Sequence, residues 1–475
     1  MVFSSLIFVF VFLPISLFAH FILPKRLKNY ALLAASLVFY AWGEPTYIVL
    51  MIVSIAANYL FGLLAGCERK QIIRKISLVS AVIFNLGMLA FFKYASFIVN
   101  GFNGFLAIFN VAPINGISEI ALPLGISFYT FQALSYVIDV YRKKTTVQKN
   151  PFYVGLYVSL FPQLVAGPIV RYVDVAKEID DRKVTIDGLF DGIRRFCIGI
   201  AKKVLIANNA AVIADLVFGQ NAADVSGASA WIGIIAYSIQ IYFDFSGYSD
   251  MAIGMGKMLG FQFLENFNYP YISKSVKDFW RRWHISLSTW FKDYLYIPLG
   301  GNRKGNARTY FNLFIVFLLC GLWHGAAMTF IVWGIYYGVF LIIERTRFGN
   351  MIHKAPEFIS HIYTLLIIAI GWVFFRSESV GYSIQYISAM FGLGNGTYNV
   401  LMYTSVLKTV ITLVSGILLS VPILKLKKIQ NALAKGNRFT KILIMTGNCL
   451  VLCLFVLSMI FLANDSYNPF IYFRF

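Results

Sequence analysis

Apolar runs of about 20 residues, the length that crosses a bilayer core, recur along the whole chain. The pattern places them at 2–23, 30–42, 45–66, 76–99, 120–141, 196–218, 228–249, 309–325, 327–344, 357–375, 403–424 and 442–463. A further apolar stretch, 151–170, is interrupted by Pro162 and by Gly167-Pro168. It is expected to be re-entrant rather than spanning, which is tolerated where protein or a water-filled cavity satisfies the freed backbone groups. The pattern therefore predicts an all-α, polytopic transmembrane protein with roughly 11–13 membrane segments, re-entrant helices included. Neither a 20–50-residue repeat nor a pair of inverted halves is visible. One integral membrane domain over 1–475 is expected, with a core at about 120–345 and C-terminal helices at 357–475.

The polar positions between these runs set an orientation. Lys25, Arg26 and Lys28 follow the first run rather than precede it, the reverse of a secretory signal, so that run reads as an anchor with its start outside. Alternating the spans from there gathers the charged groups Lys25/Arg26/Lys28, Arg69/Lys70/Arg74/Lys75, Arg142/Lys143/Lys144/Lys149, Arg345/Arg347/Lys354 and Lys425/Lys427/Lys428 on the inside. The outside loops keep only Arg376 and Arg474. Cytoplasmic excess of Lys and Arg is the physical rule for topology. The expectation is a multi-pass protein with both termini outside and a large basic inside segment at 250–308.

Composition agrees. Hydrophobic residues make up 59% and charged residues 13%, against about 25% charged in soluble domains, so water cannot be the main solvent of this surface. The formal net charge of +20 sits in short loops between apolar spans, where the inside rule puts it. That excludes nucleic acid and leaves the lipid bilayer as the partner. The cysteines Cys67, Cys197, Cys320, Cys449 and Cys453 lack metal-ligand spacing beside a histidine and read as small packing residues.

Polar groups at bilayer depth are functional candidates by default. His20, His353 and His361 are expected at interfaces. His324 differs: it lies in Cys320-Gly321-Leu322-Trp323-His324-Gly325 between two uncharged apolar runs. An imidazole there stays neutral or is hydrogen-bonded, and a neutral imidazole can take a proton from a hydroxyl. Its bland alternative is a core histidine bonded to a carbonyl. Gly321 and Gly325 would admit a ligand or a neighbouring helix. His284 lies in Phe279-Trp280-Arg281-Arg282-Trp283-His284, which continues to Phe291. This segment reads as an amphipathic interfacial helix or as part of a site. The glycine-rich basic turn Pro298–Gly305, with Asn302, could hold a phosphate-bearing donor or simply be solvated. Asp244 and Asp250, six residues apart, need partners at that depth. Arg281, Arg282 or a backbone donor is the expected partner of Asp244, and Asp250 could be interfacial.

The ordered set Tyr242-Phe243-Asp244-Phe245-Ser246-Gly247-Tyr248-Ser249-Asp250, Trp280-Arg281-Arg282-Trp283-His284, Gly300-Gly301-Asn302-Arg303 and Gly321-Leu322-Trp323-His324-Gly325 resembles the membrane-bound O-acyltransferase family. The segments 37–42, 123–132 and the tail Asn468–Phe475 are similar to its alginate O-acetylation branch. The resemblance implies a multi-helix fold with re-entrant segments around a central cavity. It carries the family's catalytic histidine onto His324 and a second histidine onto His284. It makes Asp244, Ser246, Tyr248, Trp280, Arg281, Arg282, Trp283, Asn302 and Trp323 candidates for donor binding or support. It implies no metal and no permanently bound cofactor, with acetyl-CoA as acyl donor. The implied location is the bacterial cytoplasmic membrane. The implied partners are a secreted or anchored SGNH-type acetyltransferase and polysaccharide-pathway proteins. Two further readings stand beside this one: D-alanyl transfer to teichoic acid from a carrier protein, and a transporter, flippase or structural subunit without covalent chemistry.

Overall fold

The computed structural model describes residues 1–68, 70–113, 121–165, 167–422, 438–464 and 467–469. Arg69, Lys425, Lys427, Lys428 and the tail 470–475 lie outside the described residues, as does the side chain of His353. The described secondary structure is helical apart from one isolated bridge, Val225 to Tyr398. Among the described residues, six helices are long and apolar enough to cross a membrane: Ile48–Ala65, Gln71–Ile108, Ile186–Phe218, Asn306–His324, Glu357–Arg376 and Thr440–Asn464. Shorter apolar helices lie at Phe8–Ile22, Met328–Ile343 and Val406–Leu419. The fold is all-α and polytopic.

The chain packs as two compact units, Met1–Ile193 with Ala252–Leu264, and Arg194–Met251 with Glu265–Phe475. In the first, helices Ile48–Ala65 and Gln71–Ile108 are joined by a reciprocal amide pair. Asn58 Nδ2 donates to Asn85 Oδ1 at 3.1 Å and Asn85 Nδ2 to Asn58 Oδ1 at 2.7 Å. Such pairs hold helices together where lipid offers no hydrophobic drive between them. Helix Ile126–Tyr141 begins six residues later than the apolar pattern suggests and is buried on nearly all sides. The interrupted stretch is broken as its prolines require: Pro151–Ser159 stops at Leu160, and Phe161–Leu164 follows. The freed Phe161 N–H donates to Ser36 Oγ at 3.1 Å. His20, expected at an interface, is buried, because the chain doubles back at Leu23-Pro24 and lays helix Lys25–Gly43 beside it.

In the second unit, helices Asn306–His324 and Met328–Ile343 form a hairpin packed backbone to backbone. A Cβ on Gly321 would meet the Phe330 carbonyl, and one on Gly334 would lie 2.5 Å from the Phe317 carbonyl. At the far end of this hairpin, the Glu344 carboxylate accepts from Val276 N at 2.6 Å and Lys277 N at 3.0 Å. It thereby caps helix Val276–Arg282 at its positive end. Helices Val380–Met390 and Tyr172–Asp180 were not expected from hydropathy, being too short and too polar to read as spans.

Candidate active site

His324 is the last residue of helix Asn306–His324, which stops because Gly325 turns extended. Its ring is 5% exposed and is boxed by aromatics at near right angles. Trp323, Trp333 and Phe375 have ring centres at 5.0, 5.1 and 5.0 Å. Edge-to-face contacts of this kind fix a ring's plane as well as its position. The close approach at Gly321 and Gly325 is taken by the partner helix and by the Phe330 ring.

His284 packs against the same Trp323, with ring centres 6.2 Å apart. The single amphipathic helix expected over 279–291 does not form. Helix Val276–Arg282 ends at Trp283, and a second helix, Ile285–Phe291, starts after His284. His284 takes the left-handed region at φ +44°, a conformation that costs a non-glycine residue about 1–3 kcal/mol. Asn266 holds it there. Its Oδ1 accepts from Ser286 N at 3.2 Å and Ser286 Oγ at 2.9 Å, and its backbone carbonyl accepts from Ile285 N at 2.9 Å. A backbone N–H can only donate, so that atom of the Asn266 side chain is the carbonyl oxygen, and His284 Nδ1, 3.1 Å away, must carry the proton. Nε2 is left as a lone pair, buried and without a hydrogen-bond partner among the described residues. The ring is 1% exposed and packs at 4.6 Å against Phe245. Burial rather than an interfacial belt is thus the setting of Phe279, Trp283, Trp290 and Phe291 as well.

This tautomer is testable. In ¹⁵N-histidine spectra the His284 signals are expected to report a proton on Nδ1. Asn266→Leu is expected to give a mixture of the two neutral forms; an unchanged spectrum in that variant would remove Asn266 from the account.

The third element is helix Gly227–Met258. Asp244 is paired with Lys203, not with Arg281 or Arg282, at 2.8 Å and with both side chains 2% exposed. Lys203 also donates to Asn208 Oδ1 at 2.8 Å and to the Pro469 carbonyl, so the tail segment reaches this buried pair. Arg282 is elsewhere, bound to Asp278 at 2.9 Å, and Arg281 is exposed. Asp250 is not a loose interfacial group: Arg195 reaches it at 2.8 Å and Lys202 at 2.6 Å. The reason is the close crossing of the two long helices, where a Cβ on Gly199 would lie 2.6 Å from the Gly247 carbonyl. That crossing brings the basic residues of one helix onto the acidic residues of the other.

The remaining candidates divide. Ser246 and Tyr248 are buried on helix Gly227–Met258. Trp280 packs on Trp333 at 5.5 Å and Trp283 on Trp372 at 4.9 Å, both in the shell that surrounds the histidines. Asn302 is exposed on the turn before helix Asn306–His324, at the opposite end of that helix from His324. Groups of three or more metal-ligating side chains do not occur among the described residues. Sequence reasoning missed Asn266, Lys203 and Phe375. Lys203 was the most findable, a cation inside an apolar run; Asn266 and Phe375 have no local signal.

Two buried imidazoles packed on one indole, with a charged pair buried in the same unit, gather the polar groups of this region out of contact with bulk water. The sequence model of the membrane-bound O-acyltransferase family matches residues 143–385, which include both histidines. A probable alginate O-acetylase of Pseudomonas putida is 41% identical over 493 residues, covering 100% of both chains. A peptidoglycan O-acetyltransferase of Helicobacter pylori is 36% identical over 430 residues, 83% of this chain and 80% of its own. A teichoic acid D-alanyltransferase of Bacillus subtilis is 34% identical over 240 residues, 46% of this chain and 58% of its own. The chain belongs to the membrane-bound O-acyltransferase family. It is a multi-pass membrane O-acyltransferase.

Proposed function

We propose that the protein moves an acetyl group from cytoplasmic acetyl-CoA towards the outer face of the bacterial cytoplasmic membrane, for O-acetylation of a polysaccharide. Support comes from the full-length similarity to a probable alginate O-acetylase and from the aromatic box around His324, which is the observation that carries the reading. In this reading 1–475 acts as one acyltransferase domain with both termini outside. A secreted or anchored SGNH-type protein and other polysaccharide-pathway proteins complete the modification.

His324 is the general base. Its unprotonated nitrogen takes the proton of the acceptor hydroxyl as the oxygen attacks the thioester carbonyl. Collapse of the tetrahedral adduct breaks the C–S bond, and the proton passes from the imidazolium to the departing thiolate. The ester is formed and the base is regenerated. Positioned acid–base catalysis of this kind contributes about 10²–10⁴-fold; donor orientation and oxyanion stabilisation supply the rest. His284, with Nε2 available as an acceptor, orients a hydroxyl or receives its proton. Asp244 with Lys203, together with Ser246, Tyr248, Trp280, Trp283 and Trp323, supports the two rings. Arg281, Arg282 and Asn302 face the donor side.

Inside-out vesicles given radiolabelled acetyl-CoA test the donor and the direction. Label is expected on acceptor at the opposite face, and only when the external partner is present. Transfer from a D-alanyl carrier protein instead of acetyl-CoA would replace this reading with the teichoic acid one. Movement of intact glycan without transfer of label would replace it with transport.

A further inference from the structure

Away from the two histidines, helices Gly227–Met258, Glu357–Arg376 and Val406–Leu419 enclose a crevice of about 460 Å³. This is within the 300–1,000 Å³ usual for small-molecule sites. Its walls are apolar, with Ile235, Ile239, Leu365, Ala369 and Ile417 among them. Its few polar groups are turned inward. Ser238 and Ser420 donate to carbonyls of their own helices at 2.7 Å each, and Trp231 donates to the Met390 carbonyl at 2.9 Å. The Tyr271 hydroxyl donates to the Ser238 carbonyl at 2.6 Å and accepts from Trp372 Nε1 at 3.2 Å. A cavity so lined does not hold water. Ile362 and Ile417 at its mouth are more than half exposed, the first on a helix long and apolar enough to cross a membrane and the second on a shorter apolar one.

One end of the crevice is charged. Tyr271 and Ile272 of the wall run directly into Ser273 and Lys274, and His361 Nδ1 donates to the Ser273 carbonyl at 3.0 Å. Lys274 meets Glu357, one turn before His361, at 2.7 Å. Helix Val276–Arg282 then brings Lys277 and Arg281 beside Arg345. Burial, followed by the repulsion of Arg281 and Arg345, holds the Lys277 ammonium below its ordinary pKa, with Glu344 opposing. Glu344 is already committed to two backbone N–H groups, so the cluster carries a surplus of positive charge. From His361 to Ala369 the crevice extends about 12 Å along its helix, at 1.5 Å per residue. That is comparable with the roughly 15 Å depth of one leaflet.

We propose that this crevice is a binding site for one anionic phospholipid, with an acyl chain between Ile239, Leu365 and Ala369 and its phosphate on the Lys274–Lys277 rim. The site is separate from acyl transfer. Tyr271 lines it, and Trp372, bonded to the Tyr271 hydroxyl, stands between Tyr271 and the aromatic shell of the histidines, at 5.5 Å from Phe375.

The test uses full-length protein in nanodiscs of phosphatidylcholine that carry a photoreactive acyl chain on either phosphatidylglycerol or phosphatidylcholine. Crosslinks to helices Gly227–Met258 and Glu357–Arg376 are expected from the phosphatidylglycerol probe. Each near-surface cation contributes about fivefold in affinity, so Lys274→Gln and Lys277→Gln should each weaken labelling by about that factor. Ala369→Trp, which fills the crevice, should abolish it. The two lysines are exposed, so their variants report even where Ala369→Trp fails to fold. Equal labelling by both probes, or labelling that survives both lysine substitutions, overturns the proposal.

Discussion

Replacing His324 by glutamine is expected to lower acetyl transfer by about 10²–10⁴-fold, the range of a lost general base, with membrane abundance unchanged. The choice of glutamine matters. Alanine would also leave a void where the ring meets Trp323, Trp333 and Phe375, and emptying a packed core position costs about 2–5 kcal/mol. Loss of activity in His324→Ala therefore mixes chemistry with packing. Glutamine keeps a polar side chain of similar reach but does not accept a proton near neutral pH. Label transfer in inside-out vesicles gives the activity, and fluorescence-detected size exclusion of the same membranes gives the folded amount. Wild-type product yield from His324→Gln would end the mechanism, whatever His324→Ala does. His284→Ala is expected to weaken transfer less than loss of His324, since His284 is placed to orient or relay rather than to start the reaction.

The second large effect is on folding. Lys203→Met leaves Asp244 as a charge in a site where both side chains are 2% exposed. Breaking a buried ion pair from one side costs about 3–5 kcal/mol, whereas removing both partners is often near neutral. Folded yield in detergent is expected to collapse for Lys203→Met and to recover in large part for Lys203→Met with Asp244→Leu. A double variant no better than the single would mean that the pair is not the stabilising feature, and that contacts of Lys203 with Asn208 and the Pro469 carbonyl carry the stability instead.

Hydropathy made the long spans legible, because a bilayer imposes one length on all of them. Helices Ile48–Ala65, Met328–Ile343 and Glu357–Arg376 fall within a few residues of their apolar runs. The break at Leu160 was legible too, since Pro162 cannot continue a helix. Hydropathy failed where tertiary packing decides. Gln71–Ile108 is far longer than its apolar stretch, and the run expected at 196–218 extends back to Ile186 as a polar-faced helix. At the site, the depth of His324 could be read from its uncharged flanks. The break at His284 could not. It depends on Asn266, 18 residues away, whose hydrogen bonds hold a backbone conformation that no local pattern announces. The same holds for Asp244, whose partner is set by a glycine-to-glycine helix crossing rather than by nearby arginines.

Glu344 gives the two imidazoles a shared mounting. One end of the Asn306–Ile343 hairpin bears His324, and just past the other end Glu344 grips the start of the short helix that leads into His284. The spacing of the two rings therefore rests on helix packing and on this one carboxylate, together with the Asn266 contacts that fix His284.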